Sequence, residues 1–286
     1  MSEKKQENPD SVSNVLDHIQ KLPSMPSIVL ELLESFNNEN VDIATLANKI
    51  AHDQAIVARV LRVANSSFFG LSGQVSSISE AISVLGFNNL RGLVTAAAII
   101  NAFPRTEKDF NWTAFWRHSI STAVCAKVLA KHAGLNSESA FTAGLLHDIG
   151  KLVMAVYFPQ AFIQAHESDE ASTIDSLQAE SAALGVDHAT LGGEVAKRWH
   201  FPPEIREAVE LHHTEAKAGI KKTLADVTFI ANLFAHVLDN DHLREEPAVY
   251  LANMVHLRLG LDSDKLEVLA EEAQLLYDGA VTLIGE

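Results

Sequence analysis

Residues 144–152 read GLLHDIGKL, so a histidine and an aspartate stand side by side in an apolar stretch, and Lys151 follows Asp148 by three positions. Leu145, Leu146, Ile149, Leu152 and Val153 recur at helical spacing and supply a stripe for burial, which carries His147, Asp148 and Lys151 toward the interior. Ionised groups taken from water without compensation are very costly, so their partners must come from elsewhere in the chain. The candidates are His118, His188 and the adjacent His212 and His213. Neutral imidazoles and a carboxylate suit one or two divalent ions (Fe, Mn, Zn or Ni) gathered inside a helical bundle. With 13 histidines in the chain, any single one carries little weight; their ordered set is more informative.

The elements that must position these residues read as helices throughout. The 286 residues are 47% hydrophobic but only 7% aromatic, rich in Ala and Leu, which favours an all-α fold. A polar tail, residues 1–10, precedes a helix around Val12 to Ile19, and Pro23 and Pro26 then interrupt it. Another helix restarts near Ile28. Asp42 is placed as an N-cap for IATLANKIAH, and Ser77 with Glu80 has capping-box spacing ahead of AISVLGF. The stretch FPRTEKDFN, residues 103–111, combines proline with mixed charge and marks a boundary, giving an N-terminal helical subdomain over 11–108 and a helical core over 109–286. That core is expected to hold a long helix from Trp112 to about His132, one from Ser137 to Tyr157, shorter ones over 160–184, one from His188 to His200, and one from Pro203 ending at His212–His213. Helices near 223–239, 247–259 and 264–284 complete the chain.

Charge narrows the function classes. Lys and Arg number 22 against 37 Asp and Glu, leaving a formal charge of −15 that repels a phosphate backbone, so direct nucleic-acid binding is disfavoured. Cys125, the single cysteine, cannot form an intrachain disulfide, and the first residues lack the apolar run of a secretion signal. Apolar runs such as LVTAAAIINAF, residues 93–103, fall short of the roughly 20 residues a bilayer demands. A cytoplasmic protein without a membrane span is expected.

The order of His118, then His147–Asp148, then later histidines resembles the HD superfamily, whose signature is a histidine, an HD pair, further histidines and a late aspartate. The block HATLGGEVAKRWHFPPEIREAVELHH, starting at His188, resembles the corresponding region of HD-GYP phosphodiesterases, where such histidines bind two metals and a lysine matching Lys151 assists the phosphate. In the first half, LPSMPSIVLELL, IAHDQAIVARVLRVANSSFFG and ISEAISVLGFNNLRGLV are similar to the HDOD family, which places an extra helical module before an HD-like core. The resemblance spans about residues 15–240. It implies His118, His147, Asp148, His188, His212 and His213 as metal ligands, and a regulatory or signalling module that has lost hydrolase activity.

Two departures agree with that loss. The final metal aspartate of the superfamily aligns with Asn232 in FIANLFAH, and an amide is a neutral, poor ligand. Asp226 lies about 240° around the helix from position 232, whereas His236 shares its face. HHTEAKAGI stands where a GYP segment would follow the histidine pair. The expectation is a signal-transduction module with a retained or degenerate metal site, acting through a protein partner or as a homodimer. The alternative is a metal-dependent phosphohydrolase acting on a phosphate ester, with Asp148 and Lys151 catalytic. Elsewhere the plain readings suffice. Cys125 is a small buried side chain, and Gly192–Gly193 allows close helix packing. Phe68–Phe69 and Trp112–Phe115–Trp116 are hydrophobic anchors, and the acidic terminal segment presents a solvated face.

Overall fold

A computed structural model describes residues 15, 19–20, 22, 27–34, 42–65, 74–103, 110–166, 173–214, 222–239, 245–262 and 265–280. Among them there is no strand, as an Ala- and Leu-rich, aromatic-poor chain leads one to expect. The polar tail, the residues 104–109 at the expected boundary, and Phe68–Phe69 lie outside the described residues.

Five helices occupy the first half: α1 (Ser27–Glu34), α2 (Ile43–Ala51), α3 (Gln54–Ala64), α4 (Ile78–Leu85) and α5 (Phe87–Ala102). Asp42 caps α2 as expected, its carboxylate accepting from the Thr45 amide at 3.1 Å. At α4, Ser77 Oγ accepts from the Glu80 amide at 3.2 Å, and the Glu80 carboxylate reaches back to the Ser76 amide at 2.6 Å. The box thus closes one residue further out than the sequence spacing implied. Leu32, Ile50, Ile56, Leu90 and Ile99 fill the centre of this half.

The second half continues with α6 (Trp112–Ala133), α7 (Ser137–Leu146), α8 (Ile149–Tyr157), α9 (Pro159–Ala165), α10 (Thr173–Leu184), α11 (His188–Arg198), α12 (Pro203–Glu210) and α13 (Leu224–Asp239). Then come α14 (Glu245–Met254), which runs into a π-helical turn at Val255–Leu259, and α15 (Leu266–Ala280). Helix α6 packs against α7, α13 and α15, and α11 packs against α8 and α12. Helix α5 lies on α3 and α4 and reaches α7, so both halves share one hydrophobic core. Phe103 meets Trp199 edge-on at 5.8 Å, joining the end of α5 to the end of α11. Trp112, Phe115 and Trp116 form an aromatic cluster with Phe110, consistent with anchoring.

Two expectations are corrected. The helix expected from Ser137 to Tyr157 is broken at His147–Asp148, because Asp148 leaves helical geometry (φ −98°, ψ 12°) and α8 starts afresh after it. The reason is contact: a Cβ on Gly150 would lie 2.0 Å from the His188 carbonyl oxygen, and one on Gly144 would lie 2.7 Å from Ala123 Cα. Gly144 and Gly150 thus mark, on either side of the break, where α7 closes on α6 and where α8 closes on the start of α11. The helix from Pro203 stops at Glu210, leaving His212 and His213 in the following turn. The terminal helix keeps Glu267, Glu271 and Asp278 exposed on its solvated face, while Glu272 docks on α6 through Lys131 at 2.5 Å and His132 at 2.9 Å. Gly192 and Gly193 do serve close packing, with added Cβ atoms meeting Val209 at 2.9 Å and Glu210 at 3.0 Å. No single helix among the described residues is long and apolar enough to cross a membrane.

Candidate metal centre

Asp148 is the hub on which the distant histidines converge. Its position at the break between α7 and α8 leaves the carboxylate free, because it caps no amide of α8. The two oxygens face different neighbours. Asp148 Oδ1 lies 3.2 Å from His188 Nε2 and 3.5 Å from His212 Nε2, and His213 Nε2 stands 3.0 Å from His188 Nε2. Asp148 Oδ2 lies 2.8 Å from Lys151 Nζ, 3.5 Å from His147 Nε2 and 4.0 Å from His118 Nε2. Helix α6 supplies His118, the α7–α8 break supplies His147 and Asp148, the first residue of α11 supplies His188, and the turn after α12 supplies the histidine pair. All six expected ligands therefore meet at one point.

Second contacts fix the imidazoles. His147 Nδ1 donates to the Gly144 carbonyl at 2.7 Å and His212 Nδ1 to the Val209 carbonyl at 2.6 Å, so each turns an Nε2 lone pair inward. His188 Nδ1 donates to Glu180 at 2.7 Å, and the same oxygen accepts from the His188 amide at 2.8 Å. A carboxylate behind a ring nitrogen sets the tautomer and raises the basicity of the outward nitrogen. Glu180 in turn lies 3.3 Å from His166. Asn232 Oδ1 sits 3.0 Å from His118 Nε2, and His236, on the same face of α13, stacks on His118 at 4.4 Å. Asp226 faces away, accepting from Thr223 at 2.8 Å and lying 3.8 Å from Arg258. Arg258, carried by the π-helical turn, also stacks over Phe229 at 3.6 Å and donates to the Thr214 carbonyl at 3.3 Å, next to the histidine pair.

A model of the HDOD domain matches residues 22–215, well over half of the chain. The chain belongs to the HDOD domain family. Its fold is similar to that of a protein from Shewanella amazonensis SB2B provisionally called a phosphohydrolase: 29% identity, TM-score 0.77, 94% of this chain and 96% of that one. A provisionally assigned signal transduction protein from Marinobacter aquaeolei VT8 is also similar, with 26% identity and TM-score 0.72 over 95% of this chain and 61% of that one. An uncharacterised Treponema pallidum (strain Nichols) protein is 26% identical over 233 residues, 80% of this chain and 45% of that protein. The HDOD chain thus spans less than half the length of the curated relatives it matches first.

The electrostatics of this HDOD centre favour a cation. Burial lowers the His147 pKa well below 6.5, and His212, His118 and Lys151 reinforce it against the pull of Asp148. Burial likewise lowers His212, and it brings His213 down to about 2, so these rings are neutral donors. Burial would raise Asp148, but the Lys151 ammonium holds its carboxyl well below the usual range. His188 is raised, because Asp148 and Glu180 outweigh burial and Lys151. His147 Nε2 and Asp148 Oδ1 are buried with no hydrogen-bond partner, and such orphaned atoms cost free energy unless something meets them. Neutral imidazoles, a carboxylate and unmet inward atoms fit a divalent ion.

Sequence reasoning missed Glu180. An acid at that place in TIDSLQAESAAL reads as a solvated helix face, and only the fold shows Glu180 buried behind His188.

Proposed function

We propose that this HDOD chain is a regulatory module that holds a divalent ion at Asp148 and acts through a protein partner or a second copy of itself. The carrying observation is the pairing of Asn232 with His118 at 3.0 Å, where the resemblance leads one to expect a carboxylate. Without that second negative charge, the Oδ2 side of Asp148 is balanced by Lys151 alone. Similarity to a protein provisionally assigned to signal transduction supports the same reading. The test is elemental analysis together with a hydrolysis screen on the same preparation, using phosphodiesters, cyclic dinucleotides and nucleotides. The expected result is bound metal without turnover. Metal-dependent turnover abolished by His147→Ala or Asp148→Ala would overturn it.

A second reading, a metal-dependent phosphohydrolase, is favoured by Lys151, whose partly exposed ammonium beside Asp148 is placed to neutralise a phosphate oxygen. A bound ion would supply Lewis acidity and a water of lowered pKa there. His118, Lys151 and His213, the partly exposed members, would line the entry for a phosphate ester, while buried His147, His188 and His212 keep their inward nitrogens fixed.

A further inference from the structure

The two oxygens of Asp148 are not equivalent, and the difference bears on how many ions the centre takes. On the Oδ1 side, three imidazole nitrogens and one carboxylate oxygen lie within 4.8 Å of one another. A tetrahedral ion with metal–nitrogen bonds near 2.05 Å holds its ligand atoms about 3.3 Å apart. The separations here are 3.2 Å between Oδ1 and His188 Nε2, 3.5 Å between Oδ1 and His212 Nε2, 3.4 Å between His188 and His212, and 3.0 Å between His188 and His213. Two of the three imidazoles donate Nδ1–H hydrogen bonds to fixed acceptors, Glu180 and the Val209 carbonyl, which leaves Nε2 for an ion. Four of the six separations thus lie within about 0.3 Å of the tetrahedral value, and the other two are within 4.8 Å, so this side offers four donors to one ion.

The Oδ2 side is not finished. His118 Nε2 is engaged by the Asn232 amide at 3.0 Å, so that hydrogen bond must be given up before the ring nitrogen could ligate an ion. Lys151 Nζ already neutralises Oδ2 at 2.8 Å and would repel an ion placed there. Of the group His118, His147 and Asp148, what remains uncommitted is His147 Nε2 beside Asp148 Oδ2, short of the four donors an ion takes.

We propose that the centre binds one ion, on the Oδ1 side between Asp148, His188, His212 and His213, and that Asn232 and Lys151 keep the Oδ2 side from taking a second. This rests on the metal-holding part of the regulatory reading and gives that part a stoichiometry and an address.

The test uses the full chain, stripped with a chelator and dialysed against Zn²⁺. It reads zinc per chain by elemental analysis, and the ion's position from an anomalous difference map of the crystal. One zinc per chain at the Oδ1 side is expected. His118→Ala should keep one zinc and His213→Ala should lose it, with circular dichroism confirming that each variant is folded. Asn232→Asp should raise the count toward two, and adding Lys151→Met should tighten the second ion at least tenfold. Two zincs in the unaltered chain, a single zinc on the Oδ2 side, loss of zinc in a folded His118→Ala, or a count fixed at one in the Asn232→Asp/Lys151→Met chain would each overturn the inference while leaving the regulatory reading standing. No zinc at saturation overturns the inference and the metal-holding part together. Turnover by a one-zinc chain overturns only the regulatory reading.

Discussion

The two halves of the molecule bury different things. Among the described residues, helices α1–α5 bury two polar side chains, Arg91 and Thr95, within an otherwise apolar interior. Helices α6–α13 bury His147, Asp148, Glu180, His188, His212 and Asn232 in the same continuous core. Apolar burial stabilises in proportion to area and asks little of direction, whereas a buried charge stabilises only when its partners arrive at the correct distance and angle. The first half is therefore a packing unit. The second half holds groups whose value lies in convergence, and three of their atoms, His147 Nε2, Asp148 Oδ1 and Glu180 Oε1, have no hydrogen-bond partner.

Substitutions that respect or violate that division test it. The largest effect is expected at Gly150, where a Cβ would meet the His188 backbone at 2.0 Å. Gly150→Ala must push α8 away from α11, losing more than the roughly 1–3 kcal/mol of ordinary overpacking and disturbing Asp148 and His188 together. Thermal melting and zinc binding should both suffer. Leu90→Ala, in the fully buried centre of the first half, should cost about 2–5 kcal/mol in denaturant unfolding. Zinc affinity of the folded fraction should stay unchanged, and a large loss of affinity there would erase the distinction between the halves. Glu180→Gln removes the carboxylate behind His188 and should weaken zinc binding about 10–100-fold, read by competition with a chelating dye.

A shallower effect is expected from acid on the metal-free chain. His147, His212 and His213 have pKa values below the ordinary 6.5 when folded, so below pH 6.5 the unfolded chain binds more protons than the folded one. Their contribution is complete above pH 6.5 and drains away as pH falls toward the folded values. Asp148 and Glu180, lowered from 3.8 and 4.5, add a second loss below those values. His188, raised when folded, acts in the opposite sense and offsets part of the first loss. Melting temperature should decline from pH 7.5 to pH 5, and a rise over that interval would contradict the neutral-ligand assignment.

Much of this was legible in the chain itself. Asp42 and Ser77 cap the helices that capping preference assigned them, and the ordered histidines named from the resemblance are ones the fold brings around Asp148. The break at His147–Asp148 was hidden because the apolar stripe from Leu145 to Val153 continues in phase across it; its cause, the approach of α11 to Gly150, is a contact between segments distant in sequence. Glu180 was hidden for the same reason. Its partner lies across the turn between α10 and α11, and helical periodicity reports only neighbours on one helix. The docking of Glu272 on Lys131 spans 141 residues, which no local pattern encodes.

Arg258 ties the turn bearing the histidine pair to Phe229 and Asp226, while the matched family segment stops at residue 215. A fragment trimmed to that recognisable segment would retain Asp148 and the five histidines expected as ligands, but not His236. It would forfeit the guanidinium brace on Thr214 and the amide that occupies His118. The working unit is longer than its signature, and the stretch beyond residue 215 belongs to the centre as much as the histidines do.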